Sequence, residues 1–421
     1  MNEGAGARNP RPHGPGAGVR YDVIVVGGSI AGASLAIGLA ERGRSVFLLD
    51  KAGFPRHKPC GEGLMPEGVA ILDGLGVVGA LLARGARPFR GMRFRSLEGV
   101  WAEAEFPSSP RGADHGLVLP RRELDHALFE RARACPNVEA REGFRVVSLR
   151  VGDGGVQGVR GHPSGHGELE ESFEARLTVG ADGIHSLFHD TCGLSRTLLR
   201  RRRFGVTGHF AGVAGLGDRV EVLIQPRGEI YVAPGPGDVT LVALLLEEPG
   251  MSPFRGALEG SYESFVRRAP GLAERMASAE LVPPVSAVGP LGFTLDRCSG
   301  PGFLLVGDAA GFLDPISGMG MTLALKSVEA ALPVIEEALA TGDRSARALA
   351  RYDALRAEAV DDAVRLTRLL LALTRHRPLA GRAVRRLGRD PDLFGKLLGV
   401  VTGTRRWREV RLREKLALLR G

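Results

Sequence analysis

Long apolar runs, paired cysteines and aromatic side chains are all scarce in this chain of 421 residues. No uninterrupted apolar stretch approaches the roughly 18 residues that a membrane-spanning helix needs, so we expect no transmembrane helix. The four cysteines, Cys60, Cys135, Cys192 and Cys298, lie far apart and form no CxxC pair. This spacing argues against a zinc site or a disulfide framework, and we expect no metal centre and a reducing, cytoplasmic location.

Residues 1–20 lack the apolar segment of a secretory signal and are rich in Gly, Pro and Arg. That composition predicts a disordered lead-in rather than an export signal.

Acidic residues are scarce in the C-terminal segment. Residues 365–421 hold 16 Lys or Arg against 4 Asp or Glu, a net charge of +12, whereas the whole chain carries +8 and the remainder therefore −4. A basic segment can bind nucleic acid, but no zinc finger, RNP motif or aromatic interleaving accompanies it. We expect no nucleic-acid partner.

Residues 21–50 predict a βαβ unit: a strand YDVIVV, a turn GGSIAG, a helix ASLAIGLAERG and a strand SVFLLD. Gly27, Ser29 and Gly32 occupy the three positions of GxGxxG, where small residues let the backbone approach a pyrophosphate at a helix N-terminus. Asp50 ends the second strand, 18 residues after Gly32, where a carboxylate would accept hydrogen bonds from a ribose. A turn without a ligand is the alternative, but strand, helix and acid in register favour a dinucleotide.

A second string, GLGVVG at 74–79, matches GxGxxG literally but follows the helical register EGVAILD instead of a strand. Without a strand before it, the match has no phosphate-facing helix terminus, and a glycine at a helix C-terminus explains it better.

Two more glycine-rich motifs follow strands: GADGIHS at 180–186 and GDAAGFLDPISGMGM at 307–321. Either alone could be a turn with an Asp cap. Together with the first motif, and in this order, they resemble the family of FAD-dependent oxidoreductases that includes aromatic hydroxylases, geranylgeranyl reductases and flavin halogenases. The resemblance covers most of residues 20–350.

The resemblance implies a site for FAD along these motifs, with the first turn and Asp50 at the adenosine and pyrophosphate end. Arg121, in RRELD, should contact FAD, Asp182 belongs to a motif for FAD and NAD(P)H handling, and Asp308 should bond the ribitol and pyrophosphate region. His189 stands where the family has an Arg. The expected cofactor-binding residues are Gly27, Gly28, Ser29, Ile30, Ala31, Gly32, Asp50, Lys51, Arg121, Asp182, Gly307, Asp308, Pro315, Gly318, Met319, Gly320 and Met321.

The resemblance also implies a catalytic set. Pro315, Gly318, Met319 and Gly320 would pass beside the isoalloxazine, and the next helix would aim its N-terminus at the flavin, where dipole and N–H donors stabilise negative charge. The segment KPCGEGLMP, with Lys58, Cys60, Gly61 and Glu62, resembles the reductase and halogenase branch, where the Cys-Gly turn lies near the flavin. An inert core thiol is the alternative for Cys60.

In the tail, Leu366, Leu369, Leu370 and Leu373 recur at helical spacing, with Arg365, Arg368 and Arg375 around them. The pattern predicts an amphipathic basic helix. We expect it to pack against the flavin domain, and peripheral membrane contact is the alternative.

The predicted fold is α/β: a discontinuous FAD-binding, Rossmann-like domain with an inserted antiparallel-sheet substrate domain and a helical C-terminal tail. The FAD-binding domain is expected in residues 21–90, 112–195 and 290–350, and the substrate domain in residues 91–111 and 196–289. Residues 351–421 form the helical basic region.

The leading functional hypothesis is an NAD(P)H- and O2-dependent FAD monooxygenase of secondary metabolism, acting on a small apolar, aromatic or polyketide-like substrate. A reductase that saturates prenyl double bonds is the alternative; KPCGEGL favours it, whereas IYVAP at 230–234 keeps Tyr231 and Pro234 but lacks the aromatic residues expected between them. Trp101 and Trp407 cannot form the WxW element of the halogenases. A flavin-binding protein without turnover is a third hypothesis, which the intact GDAAGFLDP segment disfavours.

Overall fold

A computed structural model describes residues 20–108, 113–167 and 169–420. The predicted disordered lead-in therefore lies outside the described residues except for its last position. The strands are β1 (Arg20–Val26), β2 (Val46–Leu49), β3 (Gly63–Leu64), β4 (Arg87–Phe89), β5 (Gly91–Arg95), β6 (Trp101–Glu105), β7 (Gly116–Val118), β8 (Val138–Arg141), β9 (Phe144–Gly152), β10 (Gly155–Pro163), β11 (Glu171–Gly180), β12 (Arg196–Ala211), β13 (Arg219–Gln225), β14 (Gly228–Pro234), β15 (Val239–Glu247), β16 (Glu280–Leu295), β17 (Ser299–Gly300) and β18 (Phe303–Leu305).

The α-helices are α1 (Ile30–Ala40), α2 (Pro66–Gly74), α3 (Val78–Ala83), α4 (Arg121–Arg133), α5 (Phe188–Thr191), α6 (Leu258–Arg268), α7 (Gly320–Thr341), α8 (Ala346–Arg375), α9 (Arg377–Arg389), α10 (Pro391–Val401) and α11 (Leu412–Arg420). Short 3-10 helices cover Glu248–Phe254, Ala273–Met276, Gly307–Ala310, Pro315–Ser317 and Trp407–Glu409.

The first large sheet is the expected nucleotide-binding sheet. Its strands lie in the order β17, β18, β11, β1, β2, β8, and β18, β11, β1, β2 and β8 run parallel. The fully buried run Val23–Val25 in β1 shows why an apolar strand suits its centre, since helices cover both faces of parallel sheets. Residues 155–163 form β10, which pairs antiparallel with β9 and β11 at the side of this sheet.

Helix α1 is buried along its whole length. Its apolar residues surround the axis instead of forming one stripe, because α1 lies between the first sheet, α4 and α7. The position at its N-terminus, directly after β1, is therefore rigidly placed.

The seven-stranded sheet has the order β16, β12, β15, β14, β13, β5, β6. Its neighbours are antiparallel, as expected, except that β13 and β5 run parallel. Hairpin connections force antiparallel pairing, whereas β5 enters the sheet from a distant part of the chain and is free of that constraint. A third, small sheet joins β3, β7 and β4.

The C-terminal helices cover one face of the seven-stranded sheet. Leu366 and Leu373 of α8 are 2% and 5% exposed, and they share a core with Val222 and Leu241 of that sheet. Helix α8 also packs against α7, β17 and β18 of the predicted flavin domain, so the expected packing is present beside the packing on the seven-stranded sheet. In the part of the chain that the structure describes, no helix combines the length and hydropathy needed to cross a bilayer.

Two of the predicted domain bounds fall within a single strand or helix. The bound at 289–290 falls inside β16, and the bound at 350–351 falls inside α8. The division into domains stays a prediction.

Candidate active site

The turn after β1 leaves no room for side chains at two of its glycines. A Cβ on Gly27, where φ is +106°, would lie 2.4 Å from the carbonyl oxygen of Ala181, and a Cβ on Gly32 would lie 1.7 Å from that of Gly27. Real Cβ atoms do not approach backbone so closely. The glycines therefore bring β1, α1 and the chain after β11 into direct backbone contact.

The N-terminus of α1 is open to a ligand. The first helical hydrogen bond runs from the Ala33 amide to the Ser29 carbonyl at 2.9 Å. The Ser29 hydroxyl does not cap the helix, because it donates to Asp125 Oδ2 at 2.9 Å. The amides of Ile30, Ala31 and Gly32 lie before the first helical bond, and such groups, at the positive end of a helix, suit a pyrophosphate.

Asp50 lies beside this turn. Its Oδ2 accepts a 2.8 Å bond from the Gly28 amide and its Oδ1 a 2.9 Å bond from the Ala52 amide. The neighbouring Lys51 is exposed, and its carbonyl accepts a bond from the Ser164 hydroxyl at 2.7 Å. Asp50 thus has a structural role in holding the turn, and its contact with a ribose stays a prediction.

Arg121 is 4% exposed and is held by a partner that sequence reasoning did not single out. Its Nη2 donates to Ser29 Oγ at 2.7 Å and to both carboxylate oxygens of Asp125 at 2.9 Å, and Arg56 Nη1 lies 3.3 Å from Asp125 Oδ2. Burial works to lower the pKa of Arg121, but Asp125 and the nearby Cys60 raise it above the ordinary value. Asp125 was detectable as the residue four positions after Arg121 on α4.

Lys58 lies within electrostatic reach of Arg121, Asp125 and Asp308. Burial among protein atoms lowers the pKa of Lys58, as does the charge of Arg121, whereas Asp308 and Asp125 oppose the shift. The Asp308 carboxylate accepts no hydrogen bond from the described residues. A carboxylate so placed fits a ligand that brings hydroxyl donors.

Asp182 offers a second acceptor. Its Oδ2 caps the Leu187 amide at 3.0 Å, while its buried Oδ1 has no hydrogen-bond partner among the described residues. Burial raises the pKa of Asp182 above the ordinary value. A buried acceptor without a donor costs free energy unless a ligand or water supplies one.

His189, in the place of the family's Arg, supports the third glycine-rich segment. The side chain is buried, and its Nε2 lies 2.8 Å from the Ala309 carbonyl, so Nε2 carries the proton. Its ring meets that of Phe293 edge to face at 5.5 Å.

Three glycines of the third motif, Gly307, Gly311 and Gly318, have a positive φ. Gly307 and Gly318 have φ of +62° and +67°, and the 3-10 helix Pro315–Ser317 between them is capped by Asp314, which accepts from the Ile316 amide at 2.9 Å. Helix α7 starts at Gly320, and its first helical bond joins the Leu323 amide to the Met319 carbonyl at 2.9 Å. The preceding amides are therefore available to a ligand.

Met319 and Met321 are 2% and 6% exposed, and their side chains pack into hydrophobic cores. Their side chains are thus committed to packing, and only their backbones are left to contact a flavin. Pro315 and Gly320 are partly exposed.

The Cys-Gly turn leads into a buried carboxylate. Glu62 has a φ of +53°, its Oε1 accepts from the Arg121 amide at 3.1 Å, and its Oε2 lies 2.8 Å from Nε2 of His209 on β12. Cys60 is partly exposed, and its sulfur accepts from the Glu62 amide at 3.4 Å. No sequence signal indicated His209, which lies 147 residues from Glu62.

An apolar cluster fills the junction between the 314–318 loop and the seven-stranded sheet. Its buried members are Ile316 of the loop, Leu245 of β15 and Leu291 of β16. The partly buried side chains around them are Ile184, Tyr231, Val288, Phe312, Leu370 and Leu371. This junction joins the expected flavin face to the expected substrate domain.

A glycine turn, two open helix N-termini and carboxylates after two adjacent parallel strands, with an acceptor oxygen of Asp182 left without a donor among the described residues, define a nucleotide-binding fold of the flavin-dependent class. The chain belongs to the FAD binding domain family, whose model matches residues 20–367. It is therefore an FAD-dependent oxidoreductase, as the resemblance implied.

Two curated relatives are similar over most of the chain. A 6-methylpretetramide 4-monooxygenase from Streptomyces rimosus is 29% identical over 89% of this chain and 88% of its own. A menaquinone reductase from Mycolicibacterium smegmatis is 30% identical over 73% of this chain and 74% of its own. A solved flavoprotein/dehydrogenase from Cytophaga hutchinsonii has a TM-score of 0.80 over 91% of this chain and 93% of that chain at 22% identity, which shows the same fold.

Proposed function

We propose that this protein is an NAD(P)H- and O2-dependent monooxygenase that hydroxylates or epoxidises a small apolar substrate of the aromatic or polyketide-like class. The observation that carries the proposal is the apolar cluster of Ile316, Leu245 and Leu291 where the expected flavin-facing loop meets the seven-stranded sheet. The similarity to a monooxygenase over nearly the full length of both chains supports it.

When bound, FAD would supply the redox chemistry between NAD(P)H and O2. The residues of the chain bind the cofactor, orient the substrate and exclude water. Gly27, Gly32 and the open end of α1 would hold the pyrophosphate, and the carboxylate of Asp308 would accept from ribitol hydroxyls. The open end of α7 stabilises negative charge placed beside it.

The apolar cluster orients the substrate and excludes water. A hydrophobic pocket with few polar groups is typical of small-molecule sites. Partly buried Phe312, Ile184 and Val288 leave apolar surface for a ligand to cover. Exclusion of water suits oxygen transfer, because it prevents reduced oxygen from being lost as hydrogen peroxide.

We propose NAD(P)H as the reductant. Of the two strings with GxGxxG spacing, the one at Gly27–Gly32 follows strand β1, whereas GLGVVG at 74–79 spans the end of α2 and the start of α3. NAD(P)H therefore binds transiently, without a nucleotide-binding unit of its own.

The second candidate is a reductase that saturates double bonds of a prenyl chain. Contact of Cys60 with the charged Arg121 favours it, as does the similarity to a menaquinone reductase. A reductase needs a hydride donor and a proton donor but no O2.

Val288→Thr tests the place of the substrate, because it puts a hydroxyl into the apolar junction at nearly constant volume. We expect hydrogen peroxide released per NAD(P)H oxidised to rise several-fold, with FAD still bound. Val151→Thr, at a position on β9 that is 61% exposed, is the matched control and should leave the ratio unchanged. An unchanged ratio in Val288→Thr would move the substrate elsewhere, and turnover without O2 consumption would favour the reductase.

We also propose that the basic C-terminal surface contacts anionic membranes peripherally. Leu412 and Leu416 of α11 are 70% and 38% exposed, beside the exposed Arg411 and Arg413. Apolar and basic side chains on one helix are the combination that binds an anionic lipid surface. Sedimentation with anionic vesicles should occur at low salt and fade as salt rises; equal binding to neutral vesicles, or none, would contradict this proposal.

A further inference from the structure

A buried ion cluster connects the seven-stranded sheet to the 314–318 loop. Arg203 of β12 is 3% exposed, its Nη1 lies 3.2 Å from Asp314 Oδ1, and its Nη2 donates to Glu229 of β14. Glu229 is 4% exposed. Two residues further along β14, the Tyr231 hydroxyl donates to the Ile316 carbonyl at 3.0 Å. The sheet therefore holds the loop at a side chain, Asp314, and at a backbone carbonyl.

The cluster carries one guanidinium against two carboxylates. Excess charge is costly in a buried site, and the usual response is that one acidic group keeps its proton. Asp314 already uses its carboxylate as an acceptor, since it caps the Ile316 amide as well as pairing with Arg203. Glu229 is therefore the group that gains or loses a proton.

The surroundings of Glu229 agree with this assignment. Burial raises the pKa of Glu229 to about 7; Arg203 opposes the rise, whereas Asp314 and Glu247 add to it. Burial, followed by the charge of Glu229, also raises the pKa of Tyr231 well above its ordinary value, so Tyr231 stays a hydroxyl donor at every pH of interest. A change in the charge of Glu229 therefore acts on the ion pair between Arg203 and Asp314. It does not change the hydrogen bond from Tyr231 to the Ile316 carbonyl.

The loop is also attached at points outside the ion cluster. The described contacts include a 3.2 Å bond between the hydroxyls of Thr367 in α8 and Ser317, and the apolar packing of Ile316. Asp314 starts the short 3-10 helix, and Gly318 ends it in a left-handed conformation. A shift at Asp314 would therefore move the segment that precedes the open end of α7.

We propose that Arg203, Glu229 and Tyr231 are positioning residues through which the seven-stranded sheet sets the 314–318 loop against the flavin, and that protonation of Glu229 changes this setting. The inference rests on the proposed flavin site. When Glu229 is neutral, Arg203 pairs fully with Asp314; when it is ionised, Arg203 is shared between two carboxylates and its hold on Asp314 weakens.

The test follows the absorbance and fluorescence of FAD-loaded protein from pH 5 to 9, without turnover. The parent should show a spectral change centred near pH 7, matching the pKa of Glu229. Glu229→Gln keeps the size of the side chain and cannot ionise, so the change should disappear. Glu263→Gln on α6, which breaks a half-exposed pair with Arg267, is the matched control and should keep the parent's profile.

Tyr231→Phe tests the other half of the attachment. Loss of one neutral hydrogen bond, about 1 kcal/mol, should weaken FAD binding about fivefold and leave the midpoint of the spectral change in place. A parent spectrum independent of pH, a Glu229→Gln profile equal to the parent's, or unchanged FAD affinity in Tyr231→Phe would each overturn the inference. Failure of the parent to bind FAD would instead overturn the proposed flavin site.

Discussion

At the glycine turn after β1 the backbone itself forms the candidate cofactor site, whereas at the 314–318 loop charged side chains from another sheet hold it in place. Gly27 and Gly32 contact neighbouring backbone so closely that a methyl group would not fit. The loop, in contrast, is attached through Arg203, Asp314 and Tyr231. The glycine turn is therefore set by sterics, which do not vary with conditions, and the 314–318 loop by electrostatics, which do.

Gly32→Ala should show the largest effect, because the added Cβ would lie 1.7 Å from the Gly27 carbonyl oxygen. Forcing that contact open should cost about 3 kcal/mol or more in the free energy of unfolding and abolish FAD retention. Thermal unfolding and the flavin-to-protein absorbance ratio measure both effects. Gly74→Ala, where a Cβ would meet nothing within 4 Å, is the control. Normal FAD retention in Gly32→Ala would refute a steric origin of the nucleotide end.

The pH dependence of stability should distinguish the ion cluster at the 314–318 loop from the glycine turn. The pKa of Glu229 is about 7 in the folded protein and 4.5 ordinarily, so the folded state binds the proton more tightly. The contribution of Glu229 to the free energy of unfolding is therefore fully present below about pH 4.5 and is lost as pH rises through 7, about 3 kcal/mol in all.

Denaturant unfolding of the apoprotein at several pH values measures this slope. Glu229→Gln should flatten the fall in stability between pH 4.5 and 7, and Gly74→Ala should not. Parallel curves for the parent and Glu229→Gln would mean that the cluster does not titrate, and the contrast between the two ends would then fail.

Asp308→Ala should have a smaller effect, confined to the ligand. A hydrogen bond from a ligand hydroxyl to a carboxylate contributes about 1.5–3 kcal/mol, so FAD affinity should fall roughly ten- to a hundredfold while stability without FAD changes little. Asp50→Ala should weaken FAD binding similarly but should also destabilise the apoprotein, because Asp50 holds the Gly28 amide. Equal effects of the two variants on the apoprotein would show that Asp308 too has a structural role.

The nucleotide end could be predicted because its determinants are adjacent in sequence. The turn, the buried helix and Asp50 fall within residues 27–50, and strand and helix periodicity place them. Asp125 is one helical turn from Arg121. Short-range spacing, however, did not show that Asp50 and Ser29 use their side chains inside the protein.

The attachment of the 314–318 loop to the seven-stranded sheet could not be predicted. The residues that form it are far apart in the sequence, and one of them, Arg203, stands among other arginines. Glu229 and Asp314 lie 26 and 111 residues from Arg203. Arg203 ends a run of four arginines, and side chains alternate between the faces of a strand, so identical residues give no sign of which one points inward.

The most direct test of the proposed monooxygenase is to mix NAD(P)H-reduced enzyme with candidate apolar substrates in labelled O2 and, separately, without oxygen. The account predicts a product that carries one labelled oxygen atom and no organic product under anaerobic conditions, because the inserted atom can come only from O2. A saturated product formed without oxygen, two hydrogens heavier than the substrate, would contradict the monooxygenase and establish the reductase in its place.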